Sequence, residues 1–162
     1  MLPELSALYQ EHAAAVWRYT RSRLPTDADA EDVTSDVFAR AVRSTHTYDA
    51  AKGSPRAWLT GIARNAIGDW WRRRKPEDPH HELPDAPTAD DPLAESLRIE
   101  RIGEVRDVLA LLSEREREAI SLRFAAELTS TEIGEQLGIS PTAARMLVHR
   151  AVTKLRGVLI DG

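Results

Sequence analysis

Basic and polar side chains near the end of the chain are spaced to bind nucleic acid. At 3.6 residues per turn, a helix from Pro141 places an apolar stripe, from Ala144 to Val158, on one side. The other side carries Thr142, Arg145, Met146, His149, Arg150 and Thr153. Such side chains offer phosphate partners and hydrogen-bond donors to base edges together. The pattern favours DNA contact over the alternative, an ordinary amphipathic helix with a solvated basic side.

The residues before this helix would position it. Ser130 is a candidate N-cap of a preceding helix, and Gly138 can supply the left-handed residue that ends it. Ser140 then caps the next helix, with Pro141 at its first position. Helix, glycine-containing turn and helix are the order of a helix-turn-helix, whose second helix enters the major groove.

Composition limits the fold and the class of protein. The chain has 162 residues, no cysteine and a formal net charge of −4. Without cysteine there are no disulfides and no thiolate chemistry. We find no signal peptide and no apolar run long enough to span a bilayer, so we expect a cytoplasmic protein. Abundant Ala, Arg, Glu and Leu predict an all-α fold.

Charge divides the chain into three parts. Residues 1–75 hold twelve Lys and Arg against nine Asp and Glu, and residues 97–162 hold ten of each. Residues 76–96 hold seven acids, no Lys or Arg, and five prolines. So few large apolar residues cannot offset the entropy of ordering that segment. We therefore predict two small helical domains, the first with three or four helices and the second a helix-turn-helix, joined by an acidic, proline-rich linker.

The N-terminal part contains three predicted helices, over residues 3–23, 27–43 and 55–75. The second has an inner apolar face and an outer face with Asp29, Asp32 and Asp36. These carboxylates are either a solvated face with favourable acids near a helix N-terminus or a docking surface for a basic partner. They lack the further ligands that a metal or acid–base site would need.

The third predicted helix combines an aromatic ring with cations. Trp71 lies off the apolar stripe and is followed by Arg72, Arg73, Arg74 and Lys75. A stacking plane beside positive charge suits single-stranded nucleic acid. The alternative is that Trp71 covers the edge of the core while the cations favour the helix C-terminus. The polar loop before this helix, residues 44–54, is either a pocket for an unstacked base or only a connection.

These patterns together resemble an extracytoplasmic-function (ECF) sigma factor of bacterial RNA polymerase. The resemblance rests on Asp29 to Ala41, Arg56 to Asn65, Leu112 to Ala119 and Ser140 to Ala151, and it covers nearly the whole chain outside the linker. It implies a transcription initiation factor that binds core RNA polymerase, directs it to promoter −10 and −35 elements and promotes strand opening. Residues 1–75 would be region 2-like, and residues 97–162 region 4-like.

The resemblance also implies roles for individual residues. The polymerase contacts would be Asp29, Asp32, Val33, Asp36 and Phe38. The loop over the −10 element would capture a flipped base, and the melted strand would contact His46, Thr47, Tyr48, Asp49, Arg64, Asn65, Asp69, Trp71, Arg72 and Arg73. The −35 duplex would contact Ser140, Thr142, Ala143, Arg145, Met146, His149, Arg150 and Lys154.

Partners follow from the same resemblance. They are core RNA polymerase, promoter DNA and an anti-sigma factor, with no cofactor, metal or small-molecule substrate. The acidic linker would run toward the active-site cleft of the polymerase. One alternative is an autonomous helix-turn-helix regulator that binds duplex DNA alone. The other is an enzyme with a metal held by His80, His81, Glu82 and Asp85, but adjacent histidines diverge and the segment lacks a rigid frame.

Overall fold

The computed structural model describes residues 2–74 and 109–161, with side chains up to Val158. These two ranges, called here the N-terminal half and the C-terminal half, contain six α-helices and no strand. The predicted all-α fold is therefore confirmed. No helix among the described residues is long and apolar enough to cross a membrane. The predicted linker and the His80–His81 hypothesis lie outside the described residues.

The N-terminal half is a bundle of three helices, α1 (Leu5–Arg23), α2 (Asp27–Arg43) and α3 (Pro55–Arg74). The α2 bounds are those predicted, and α1 begins two residues later than expected. The Thr26 side chain caps α2 by accepting a hydrogen bond from the Asp29 N–H at 3.1 Å. A short 3₁₀ turn, Thr45–Thr47, begins the loop between α2 and α3.

Helices α1, α2 and α3 pack around one apolar centre, with Leu8, Tyr19, Leu24, Val37 and Leu59 almost completely buried. His12 is buried on the inner face of α1, as its position in the apolar stripe predicts.

The C-terminal half begins with α4 (Glu114–Ile120) and a π-helical turn (Ser121–Ala125). The helix-turn-helix follows as α5 (Ser130–Leu137) and α6 (Pro141–Asp161). The predicted cap of α5 is wrong by one residue, since Thr129 is the N-cap and Ser130 is the first helical residue. Thr129 takes this place because Glu132, three residues on, returns a hydrogen bond to the Thr129 N–H and completes a capping box.

The turn between α5 and α6 has the predicted chemistry. Gly138 ends α5 with φ of 69°, a left-handed conformation that glycine adopts without steric cost. The Ser140 hydroxyl caps α6 by accepting a hydrogen bond from the Ala143 N–H at 3.0 Å. A Cβ built on Gly134 would lie 2.6 Å from the Ile139 carbonyl oxygen, so the turn folds directly onto this glycine.

The two halves share a core. The π-helical turn packs against α1, and Leu122, Ala126, Leu128 and Ile133 belong to the same buried cluster as the N-terminal bundle. The helical units are therefore packed together in this structure, which brings the first helix of the helix-turn-helix onto α3.

Candidate nucleic-acid interface

A cleft of about 1120 Å³ runs between the two halves. Of the predicted −10 residues, Thr47, Asp49, Arg64, Asn65 and Trp71 line it. The other five, His46, Tyr48, Asp69, Arg72 and Arg73, are not among its lining residues. Lys52, from the predicted loop, also lines it, together with residues that the sequence does not single out, among them Arg23, Trp58 and Glu118.

Glu118 on α4 is the centre of the polar contacts across this cleft. Its Oε1 accepts hydrogen bonds from Tyr19 Oη at 2.6 Å and from Arg64 Nε at 3.0 Å. Its Oε2 pairs with Arg23 Nε at 3.0 Å. Burial, and then the Glu118 carboxylate, raise the pKa of Tyr19 well above its ordinary value, so the phenol stays a donor. Arg64, predicted to contact the melted strand, is thus paired with a carboxylate of the same chain.

A second carboxylate, Glu132, joins the N-termini of α3 and α5. Its Oε2 accepts hydrogen bonds from the Ser54 N–H at 3.1 Å and the Ser54 hydroxyl at 2.5 Å. Ser54 in turn accepts from the Ala57 N–H at 3.1 Å. Burial raises the pKa of Glu132, but hydrogen bonds from Ser54 and Thr129 outweigh it and leave that pKa below its ordinary value.

Further contacts hold α5 and the π-helical turn against the N-terminal half. Gln136 Nε2 donates to the Ala57 carbonyl at 2.9 Å, and Arg64 Nη1 donates to the Gln136 carbonyl at 2.6 Å. Glu127, a left-handed residue with φ of 59°, pairs with Arg56 at 3.0 Å and Arg18 at 3.6 Å. The C-terminal half therefore covers one side of α3 with carboxylates and an amide.

The loop before α3 is fixed to that helix through an aromatic side chain. Trp58 Nε1 donates to Thr47 Oγ1 at 2.9 Å, and the Tyr48 ring meets the Trp58 ring edge to face at 5.8 Å. Sequence periodicity places Trp58 on the core face of α3, and the structure packs it against the edge of the core, half-buried at the cleft.

Trp71 lies at the edge of the core, beside the cleft. The indole donates to the Arg23 carbonyl at 3.2 Å, and its ring packs edge to face on Trp70 at 4.8 Å. The ring is half-buried. Trp71 thus covers the edge of the core, as one of the two interpretations predicted, while a part of its surface stays open to the cleft.

The acidic face of α2 is less extensive than predicted. Asp32 is exposed and Asp29 is half-buried, whereas Asp36 accepts from Arg40 Nε at 2.9 Å. Val33 and Phe38, predicted as polymerase contacts, are 5% and 8% exposed. They point into the bundle because α2 directs its apolar stripe at α1 and α3. Of the predicted contacts, only the carboxylates offer a surface in this structure, and the assignment of Val33 and Phe38 stays a prediction.

Another predicted strand contact, Asp69, is held by two arginines. Arg40 Nη1 pairs with Asp69 Oδ2 at 3.0 Å, and Arg72 pairs with the other oxygen. These hydrogen bonds lower the pKa of Asp69. An anion in this place repels phosphate, so its contribution is to orient Arg72 rather than to bind the strand itself.

The outer face of α6 is open, as predicted. Thr142, Ala143, Arg145, His149 and Arg150 are exposed, and Met146 is 56% exposed. Lys154 is exposed as well, but its Nζ pairs with Glu116 Oε1 at 2.9 Å. Hydrogen bonds from the Ser113 backbone and from Lys154 lower the pKa of Glu116 to about 2. Lys154 therefore ties α6 to α4, and its assignment as a DNA contact stays a prediction.

Comparison with known proteins identifies the family. Residues 8–77 match the model for Sigma-70 region 2, and residues 108–157 match the model for Sigma-70, region 4. The ECF RNA polymerase sigma factor SigL of Mycobacterium tuberculosis is 31% identical over 154 residues, which cover 94% of this chain and 86% of SigL. The chain belongs to the ECF sigma factors. The predicted family and its role in transcription initiation with RNA polymerase are confirmed.

Two other similar proteins extend the comparison. This sigma factor is 32% identical to the ECF RNA polymerase sigma factor BldN of Streptomyces coelicolor, over 95% of this chain and 60% of BldN. The solved structure of CnrH in complex with the cytosolic domain of CnrY aligns with a TM-score of 0.69 at 26% identity. That alignment covers 97% of this chain and 88% of CnrH.

Proposed function

We propose that this sigma factor divides promoter recognition between two surfaces. Residues 1–75 bind the melted −10 strand and the polymerase, and residues 97–162 bind the −35 duplex. Residues 76–96 join the two. Its work is binding rather than catalysis, and it needs no cofactor. Because RNA polymerase transcribes in the bacterial cytoplasm, we place the sigma factor there.

The −10 assignment rests on one observation: the loop before α3 and one face of α3 line the same cleft. Thr47 and Asp49 come from the loop, and Arg64 and Asn65 come from the middle of α3. Loop and helix together offer a polar recess for one unstacked base beside a guanidinium for its phosphate. His46, Tyr48, Arg72 and Arg73 extend the surface beyond the cleft.

The −35 assignment is supported by the open face of α6. Arg145 and His149 are exposed about one helical turn apart, and Arg150 is exposed beside His149. All three follow an N-terminus that is capped by the Ser140 hydroxyl. A helix in this position of a helix-turn-helix places its first turns against base edges in the major groove. Met146 is suited to apolar contact with a thymine methyl group.

Polymerase binding is assigned to the aspartates of α2. Asp32 is exposed, and Asp29 and Asp36 lie on the same side of the helix. A row of carboxylates favours a basic partner and speeds the encounter with it. Asp36 must exchange Arg40 for a basic group of the polymerase, so we expect Asp32 to contribute more to affinity.

Strand binding requires the two halves to separate. Arg64 cannot pair with a strand phosphate while Glu118 and Gln136 hold its guanidinium. CnrH was solved with the cytosolic domain of a second protein, and by similarity we propose that an anti-sigma factor binds this chain and keeps it from the polymerase.

Reconstitution with bacterial core RNA polymerase tests the proposal. We expect co-elution in gel filtration and transcripts from the chain's own upstream region that depend on added sigma factor. If the isolated chain instead binds a duplex tightly and never co-elutes with core enzyme, the autonomous regulator replaces the proposal.

Variants of α2 make this test specific. Asp32→Lys together with Asp36→Lys should abolish co-elution while helical content is retained. Glu31→Lys is the matched control for Asp32→Lys alone, because it makes the same charge change on the same helix but about 100° away from Asp32. Equal loss in both variants would indicate a general charge effect and remove the assignment to this face.

A further inference from the structure

The Trp58 indole makes the hydrogen bond that joins the first part of the loop before α3, Thr45–Asp49, to the helix. Its donor reaches Thr47 Oγ1 at 2.9 Å, and its ring supports the Tyr48 ring from the side. The remaining hydrogen bonds of residues 45–52, within the described part of the chain, stay inside the loop or reach Ser44. The position of the loop over α3 therefore depends on Trp58.

The Thr47 hydroxyl already makes two hydrogen bonds in this arrangement. Its single proton is donated to the Ser44 carbonyl at 2.6 Å, and its oxygen accepts the Trp58 N–H. A hydroxyl with its proton committed and one lone pair occupied has little left to offer to a base edge. Thr47 is better explained as an anchor of the loop than as a reader of DNA.

Burial supports a local role for the Trp58 ring. The neighbouring residues Ala57 and Leu59 are 6% and 0% exposed and lie in the core, while Trp58 is only half-buried and lines the cleft. One part of the Trp58 ring packs against the edge of the core. The N–H edge of the indole points to the loop and holds it, at the point where the recess for a base begins.

We propose that Trp58 is a positioning residue for base capture, which acts through Thr47 to hold the loop Thr45–Asp49 in its binding geometry before the strand arrives. This inference rests on the proposed function. A loop ordered in advance does not lose its conformational entropy on binding, so the recess gains affinity for one extruded base. Neither residue needs to touch that base.

The test uses holoenzyme with single-stranded oligonucleotides. The probes carry the non-template sequence upstream of the start site mapped from the chain's own upstream region, with an abasic site placed at each position in turn. The variants are Trp58→Phe, which keeps an aromatic ring but removes the N–H donor, and Thr47→Val, which removes the acceptor together with the hydroxyl's own bond to the Ser44 carbonyl. Thr47→Ser keeps the hydroxyl and is the conservative control.

We expect Trp58→Phe and Thr47→Val each to weaken binding of the intact oligonucleotide about five- to tenfold, the value of one hydrogen bond. An abasic site at the captured position should then lower the binding affinity of the variants much less than it lowers that of the wild type. Thr47→Ser should behave as wild type, and the double variant should be no weaker than either single variant. Co-elution with core polymerase should be unchanged throughout.

Other outcomes overturn the inference in distinguishable ways. Trp58→Phe holoenzyme could distinguish intact from abasic oligonucleotides as well as wild type does at every position, or it could bind all of them equally more weakly. Either result would show that the indole has no role in capture. A double variant that is weaker by the sum of both effects would show that the two residues act separately. If wild-type holoenzyme itself fails to bind the single strand, the proposed −10 surface fails and the inference fails with it.

Discussion

Arg64 of α3 and Glu118 of α4 lie 54 residues apart in the chain and meet at 3.0 Å. The same carboxylate receives the Tyr19 phenol and pairs with Arg23, so one glutamate links α1, α3 and α4. A carboxylate beside a guanidinium takes the place that a strand phosphate would need. The contact therefore connects the stability of the closed arrangement to the availability of the DNA surface.

We expect Glu118→Gln to loosen the contact between the halves. The amide keeps the shape but loses the charge that satisfies two arginines, and the free energy of unfolding should fall by about 1–3 kcal/mol. Urea unfolding measures this change. The isolated variant should also bind single-stranded DNA more tightly than wild type, because Arg64 is released.

Glu114→Gln is the matched control for that substitution. Its side chain is 64% exposed, and surface pairs contribute about 0–1 kcal/mol. A loss of stability in this control as large as that in Glu118→Gln would contradict a special role for Glu118.

The stability of the folded chain should depend on pH through the Glu116 carboxyl group. Its pKa is about 2 in the folded chain against an ordinary value of 4.5, so the ionised form favours folding above pH 4.5. This contribution is lost as the pH falls from 4.5 toward 2. Thermal unfolding between pH 2 and 7 should therefore show a steeper acid decline in wild type than in Glu116→Gln, which is less stable at pH 7. Parallel curves for the two proteins would refute the assignment.

Two glycines of the C-terminal half should respond oppositely to alanine. At Gly134 the new Cβ would meet the Ile139 carbonyl at 2.6 Å, so we expect Gly134→Ala to displace the turn and to cost about 2 kcal/mol or more. At Gly157, on α6, nothing lies within 4 Å, and Gly157→Ala should stabilise the helix by up to about 1 kcal/mol. Thermal melting of both variants checks the pair, and a stabilised Gly134→Ala would mean that the turn is looser than described.

Recognition of the −35 element should depend on Arg145. We expect Arg145→Ala to weaken holoenzyme binding to a −35 duplex by about 1–3 kcal/mol and to reduce discrimination between base pairs. Arg156→Ala is the control, since Arg156 is exposed on the same helix about three turns further on. It should lower affinity slightly and equally for all duplexes. If only Arg156→Ala reduced discrimination between base pairs, the base-reading residues would lie further along α6 than proposed.

Local signals explain why the helices could be predicted from the sequence. Helix α2 was predicted over its observed length because its apolar residues repeat with a helical period. Thr26 and Ser44, the N-cap and C-cap residues, lie directly beside that segment. Gly138 and Ser140 likewise predict the turn between α5 and α6. The choice of Ser130 as cap failed because both neighbouring hydroxyls can cap, and only the reciprocal bond from Glu132 favours Thr129.

Long-range contacts explain what the sequence could not predict. Tyr19 and Glu118 are separated by 99 residues, and nothing near either residue indicates the other. Likewise, nothing near Lys154 indicates that it pairs with Glu116, 38 residues away. Periodicity places Trp58 on the core face of α3, and its ring does pack against the core. A helical pattern carries no information, however, about the loop residue that accepts its N–H.

The packing of the π-helical turn against α1 imposes a conformational equilibrium on every partner of this sigma factor. A partner that needs the halves apart must expose apolar surface around Leu122 and Ala126, at roughly 25 cal/mol per Å². Its apparent affinity is its intrinsic affinity multiplied by the fraction of molecules already open. Under the proposed function, residues buried far from the strand contacts therefore help to set how tightly the promoter strand binds.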